Sequence, residues 1–232
     1  MALGNSVSID DYAGGKGQGA ASLLFVNNDE RFPDWRGRDL LSTGLADILV
    51  LLARDGATSS DVVGRQMPLL GDLGVAPVAV TISMGGNDLL AVFSDTRAAA
   101  TEVGALRVNA DIVLSGLRRL VGPQVPIALA TVYDPSDGSG DASAVGLKPW
   151  PEVTELLGEL NEVLRAVAMA YDVSVAEVHQ RFLGHGLSVG DPSQMEAEPV
   201  NRSLWYCGVV EPNAWGASEI RAAYCQALDG LR

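Results

Sequence analysis

The sequence predicts an α/β fold, a parallel sheet sandwiched between helices, and two observations carry that prediction. Short apolar runs at 48–52, 78–82, 127–132 and 173–175 contain almost no polar residues, as strands covered on both faces require. Segments of helical character alternate with them at 59–71, 96–121, 151–171 and 213–229. Such alternation gives right-handed crossovers and puts helices on both faces of the sheet.

Each element has a local reason. In 151–171, Val153, Leu156, Leu157, Leu160, Val163, Leu164 and Val167 recur at three- and four-residue spacing and make one apolar stripe. The first strand is short, because only Met1-Ala2-Leu3 precede Gly4-Asn5-Ser6. That strand is central in this architecture, so a start further upstream, with any targeting segment it carried, stays open. No internal repeat or linker divides the chain, which reads as one domain over 1–232.

Composition removes several function classes. Hydrophobic residues make up 47% and charged residues 19%, an ordinary globular balance. A net charge of -13 repels phosphate backbones, so no nucleic-acid partner is expected, while a small neutral molecule is unaffected. Cys207 and Cys225 form no C-x-x-C pair, and neither a disulfide framework, a metal site nor a cofactor is expected. No apolar run is long enough to span a bilayer, and no basic region followed by an apolar stretch opens the chain. The expectation is a cytoplasmic protein with no membrane span; the oligomeric state is not set by the sequence.

In a parallel sheet of this kind ligands bind beyond the carboxyl ends of the strands. Gly4-Asn5-Ser6 follows the first strand, Arg54-Asp55-Gly56 the second, and Gly85-Gly86-Asn87-Asp88 the third. Near the C-terminus stands Glu211-Pro212-Asn213-Ala214-Trp215-Gly216. Taken in order, these blocks resemble those of the SGNH (GDSL-type) serine hydrolases: G-D-S, a glycine after the second strand, G-x-N-D, and D-x-x-H-P-N. The resemblance covers nearly the whole chain. It implies a three-layer αβα sandwich with a flavodoxin-like sheet, Ser6 as nucleophile, and a small-molecule ester substrate. It also implies an oxyanion hole made from the backbone N–H groups of Ser6 and Gly56 and the Asn87 side-chain amide. Acyl transfer creates a negative oxygen that preorganised donors from separate loops must hold. Glycine lets its N–H approach closely, and asparagine is a donor that cannot titrate away. The plainer alternative is that Gly56 and Gly85 make turns and Asn87 caps the helix that follows.

The pattern breaks in the first and last blocks. Asn5 stands where the family has aspartate, keeping an acceptor but losing the charge. Glu211 occupies the place of the catalytic histidine, and Gly208 that of the aspartate that would orient it. Glutamate starts near pKa 4.3 against about 6.5 for histidine, so it is the weaker base unless burial raises it. The chain has two histidines, His179 and His185, both after the fifth strand. His185, between two glycines, is the second candidate base; His179 reads as a structural residue.

Three further signals are read as structure. The run 14–19 lacks the G-K-[ST] ending of a phosphate loop and reads as a flexible loop near the nucleophile. Asp10, Asp11 and Asp88 read as caps and solvated carboxylates, and 134–141 as a polar loop, not a calcium site. Trp205, Tyr206 and Trp215 are either core or a binding wall. The first expectation is therefore a serine esterase with a non-standard base, Glu211 or His185. The alternative is a catalytically silent domain of the same fold that binds an ester or carbohydrate.

Overall fold

The structure is a computed structural model and describes residues 1–228. Along the chain run β1 (Ala2–Gly4), α1 (Ala20–Phe25), α2 (Ser59–Asp61), β2 (Val80–Ser83), α3 (Gly86–Leu90) and α4 (Thr96–Val121). They are followed by β3 (Ile127–Ala130), α5 (Val153–Ala170), β4 (Ser174–Ala176), α6 (Val178–Phe182), β5 (Tyr206–Cys207), β6 (Glu211–Pro212) and α7 (Ala214–Ala227). Strands β1 to β4 form one parallel sheet in the order β1-β2-β3-β4, with Leu3 opposite Ile82 and Ile82 opposite Leu129.

The run 48–52 lies on the free side of β1, but it is not the covered strand that its apolar sequence predicts. One parallel bridge, Leu51 to Ala2, joins it to the sheet, and Ile48 is 64% exposed. It is an edge segment beside a three-residue strand, so few ladder positions exist for it. Its place outside β1 gives the succession second-first-third-fourth-fifth, the flavodoxin-like order.

The pleat separates two cores. Leu3, Val80, Ile82, Ile127 and Leu129 face α4 and α5, where they meet Leu106, Val113, Leu114, Leu160 and Leu164. Ala128, Ala130 and Ala176 face the other way, onto Ala20 and Leu24 of α1 and Ile220, Ala223 and Tyr224 of α7. Large residues on one face and alanines on the other let α7 lie close to the sheet. The result is the three-layer αβα sandwich.

Helix ends follow side-chain caps. Asp95 accepts from Ala98 N–H (2.9 Å) to start α4, which ends at Gly122 with φ 77°. Asn213 accepts from Trp215 and Gly216 N–H to start α7, while its amide donates to the Leu204 and Tyr206 carbonyls. Of the segment expected to run to 229, Asp229 lies outside the described residues. The region expected as one helix over 59–71 is α2 continued by a π-helical turn at Val62–Gln66 and a 3-10 stretch at Met67–Asp72. No helix among the described residues is long and apolar enough to cross a membrane.

Candidate active site

The site is built on the last residue of β1. Gly4 has φ 120°, and a Cβ there would fall 1.9 Å from the Ser83 carbonyl oxygen, so only glycine fits. The buried Gln66 side chain clamps Gly4 from both sides: it accepts from the Gly4 N–H (2.7 Å) and donates to the Gly4 carbonyl (2.8 Å). The π-helical turn ends at Gln66, a type of irregularity frequent at functional sites. Asn5 is buried, and its side chain accepts from Val7 N–H (3.2 Å), opening a 3-10 turn over Ser6–Ser8. Asparagine thus supplies the acceptor the turn needs. Beneath it, Ser83 Oγ accepts from Asn5 N–H (3.3 Å) and pairs with Ser8 Oγ (3.2 Å). Ser6 is 6% exposed and lines a cavity at this edge of the sheet.

The same Gly4 carbonyl accepts from Arg54 N–H (2.9 Å), which hangs the turn carrying Gly56 from the nucleophile strand. Gly56 has φ 66°, is exposed, and has no heavy atom within 4 Å of where a Cβ would stand. It does not itself line the cavity. Asn87 does, and it joins the two: its Nδ2 donates to the Ala57 carbonyl (3.0 Å). One of its two amide hydrogens is thereby used, and one is left for another acceptor. Asn87 is not a helix cap, because α3 begins at Gly86 with Gly85, φ 105°, before it. A Cβ at Gly85 would press on Leu106 at 3.0 Å and Leu160 at 3.3 Å. Asp88, buried, accepts from Ser59 N–H (3.0 Å) and from the Ser59 hydroxyl. Asn87 and Asp88 therefore both hold the 57–59 turn in place.

Glu211 lies in a short antiparallel hairpin in which Cys207 pairs with Glu211 and Tyr206 with Pro212. Gly208 (φ 55°) and Val209 (φ 77°) turn the chain, and a β-branched residue with positive φ is an uncommon, strained choice. The Tyr133 hydroxyl donates to the Val210 carbonyl (2.7 Å) and ties the hairpin to the end of β3. The Glu211 carboxyl enters the cavity that Ser6 and Asn87 line, and its Oε2 is buried without a hydrogen-bond partner. Burial pushes its pKa above the usual glutamate value; the Ser6 hydroxyl beside it pulls the other way, and the Asp55 charge adds to the rise. The same carboxylate field, added to burial, pushes the Cys207 thiol up to about 11.

His185 is not brought to this cavity. Its ring stacks on Trp205, with centroids 3.4 Å apart, and its Nδ1 contacts the Ser203 carbonyl (2.8 Å). His179 is held by Thr131 Oγ1, which accepts its backbone N–H, and by the Val132 carbonyl at its Nδ1 (2.9 Å each). Trp205, Tyr206 and Trp215 pack against neighbours and do not line the cavity; Tyr206 meets the stacked Tyr133 and Phe182 rings edge to face. The loop 14–19 is closed on itself by Asp10, which accepts from Gly17 N–H (2.8 Å) and Gly19 N–H (2.9 Å), and it too is away from the cavity. Asp134 and Asp137 spend their oxygens on backbone N–H groups of 136–138 and 184–188. Among the described residues, no group of three or more His, Cys, Asp or Glu could hold a metal ion.

The cavity walls come largely from residues the sequence did not single out. About 1060 Å³ of space, its open mouth included, lies between Ser6, Glu211 and an apolar wall of Leu89, Phe93, Val132, Trp150, Val153 and Leu157. Trp150 meets Phe93 edge to face at 5.3 Å and donates its Nε1–H to Thr96 Oγ1 (3.0 Å). Gln66, Ser83, Tyr12 and Tyr133 were likewise missed. Ser83 alone had a visible signal, a hydroxyl residue directly after the 78–82 run and before Gly85-Gly86-Asn87.

A flavodoxin-like sandwich with a serine at the end of its first strand and an asparagine after its third defines a class of hydrolase folds. The chain belongs to the GDSL-like lipase/acylhydrolase family, whose description matches residues 2–197. That span ends before Gly208 and Glu211. Comparison with curated proteins gives no match. Among solved structures, the chain is similar to LAE5, an α/β hydrolase enzyme from the metagenome of Lake Arreo, Spain (TM-score 0.62, 19% identity, covering 100% of this chain and 94% of that one). It is similar to phospholipase A1 from Streptomyces albidoflavus NA297 (TM-score 0.60, 18% identity, 100% and 98%). An acetylxylan esterase from Geobacillus stearothermophilus gives a TM-score of 0.62 at 14% identity, over 98% and 92%. At identities this low, the likeness shows the fold alone.

Proposed function

We propose that the protein is an ester hydrolase in which Ser6 is the nucleophile and Glu211 the general base. The observation that carries this reading is one cavity lined by Ser6, Asn87 and Glu211, with the Glu211 carboxyl partly buried and one oxygen unpartnered. Ser6 Oγ attacks the ester carbonyl carbon as Glu211 takes its proton. The resulting oxyanion is held by the Ser6 N–H and the free Asn87 amide hydrogen, the two expected donors whose residues line the cavity; the exposed Gly56 does not line it. Collapse expels the alcohol, which receives the proton from Glu211, and leaves an acyl group on Ser6. Water then attacks the acyl carbon, giving its proton to Glu211, and the carboxylic acid leaves as Ser6 is restored. Burial supports the base role, since a carboxylate with a raised pKa transfers protons more efficiently. The apolar wall formed by Leu89, Phe93, Trp150 and Leu157 suits the acyl portion of the ester better than a sugar.

Hydrolysis of p-nitrophenyl esters tests the reading. Ser6→Ala and Glu211→Gln each lower kcat/KM by about 10³-fold or more, whereas His185→Ala does not. Wild-type hydrolysis no faster than that of Ser6→Ala contradicts the enzyme assignment and leaves a binding domain. Loss in His185→Ala, with Glu211→Gln active, transfers the base role to the histidine.

A further inference from the structure

We infer that Tyr12 and Asp55 act as a positioning pair for the base, joining the turn that carries Gly56 to the hairpin that carries Glu211. The inference rests on Glu211 being the base. In this chain Gly208 stands where an orienting carboxylate is expected, and no hydrogen bond holds Glu211 Oε2. Tyr12 reaches both neighbouring loops. Its hydroxyl donates to Asp55 Oδ2 (3.1 Å), one residue before Gly56, and its carbonyl accepts from the Cys207 thiol (3.7 Å), the cross-strand partner of Glu211. One residue, itself in the segment that follows the nucleophile turn, thereby sets the turn on which the Asn87 amide rests and the hairpin of the base relative to each other.

Asp55 contributes charge as well as an acceptor. The other titratable groups that face Glu211 are the Ser6 hydroxyl, the Tyr12 and Tyr133 phenols and the Cys207 thiol. Burial, assisted by the Glu211 charge, pushes Tyr12 up to about 12, Cys207 up to about 11 and Tyr133 well above its usual range. All three are thus neutral across the working range, and the negative group that acts on Glu211 is Asp55. A like charge disfavours the ionised carboxylate, which raises Glu211 in the direction a general base needs. Asp55 is exposed, so salt screens this effect.

The two contributions separate in a pair of variants. Tyr12→Phe removes the hydroxyl alone and lowers kcat by about 3- to 10-fold, the rate equivalent of one neutral hydrogen bond, with KM unchanged. Asp55→Asn keeps an acceptor for Tyr12 but removes the charge; the acidic limb of its kcat/KM profile moves to lower pH, and added salt no longer shifts it. Carboxyl ¹³C NMR of glutamate-labelled protein, with Glu211 assigned by its loss in Glu211→Gln, reads the same shift without any substrate. The inference is overturned if Tyr12→Phe changes thermal stability but not kcat, or if the Glu211 titration is the same in wild type and Asp55→Asn. The NMR comparison stands whether or not the protein hydrolyses esters, so failure of the hydrolase reading and failure of this one are distinct results.

Discussion

At the scale of single residues, Glu211 decides the account. A carboxylate with a raised pKa in the folded state binds its proton more tightly there than in the unfolded chain. The sign follows: its contribution to stability is fully present below the unfolded glutamate value of about 4.3 and is lost as pH rises through the higher folded value. At neutral pH the protein therefore carries a partly buried charge with an unpartnered oxygen. Glu211→Gln relieves that cost; recovery of about 1 kcal/mol raises Tm by about 2–4 °C at pH 7, and the gain shrinks on acidification toward pH 4. Calorimetry across that range checks it, and a Tm lowered at neutral pH runs against the burial reading. Catalysis has the opposite preference, because the base must be ionised: kcat/KM rises with pH through the Glu211 titration, and the acidic limb disappears with Glu211→Gln. That Ser6 and Asn87 share one cavity was legible in the sequence because strand ends share one edge of a parallel sheet, whereas Glu211 was picked out by its place in the resembling C-terminal block. The fate of His185 was not legible, since its stacking on Trp205 depends on a contact twenty residues along the chain that no local pattern announces.

At the scale of elements, the nucleophile turn depends on an irregular helix. The amide of Gln66 satisfies both backbone groups of Gly4 across 62 residues of sequence, and a long-range pairing of this kind leaves no periodic mark. The apolar period of 59–71 gave a helix; it could not give the π-helical turn that aims Gln66 at β1. Gln66→Ala strands the buried Gly4 N–H, while the Gly4 carbonyl keeps the Arg54 N–H, and costs about 1–3 kcal/mol, a fall in Tm of about 2–10 °C. Because Gly4 also anchors the Gly56 turn through Arg54, kcat falls with it while binding of substrate is less affected. A thermal melt with steady-state kinetics checks both; unchanged kcat in a folded variant argues that Gln66 serves stability alone. The run 48–52 teaches the complementary lesson. Its composition matched a covered strand, yet its position beside a three-residue β1 left it one bridge, and position is not written in composition.

At the scale of the whole molecule, the sandwich was readable from the alternation of strand and helix segments while its two unequal cores were not, and family membership agrees with the first three ordered blocks. The net charge of -13 acts on the molecule as a whole. Self-repulsion among surface carboxylates destabilises the compact state, so moderate sodium chloride raises Tm at pH 8, and a Tm insensitive to salt counts against this. The central claim, that Ser6 is a nucleophile activated by Glu211, is tested most directly by covalent labelling with a fluorophosphonate followed by peptide mass spectrometry. The account predicts an adduct on the peptide carrying Ser6, absent in Ser6→Ala, strongly slowed in Glu211→Gln and unaffected in His185→Ala. No adduct on Ser6 in the folded protein, or one formed as fast in Glu211→Gln as in wild type, contradicts it.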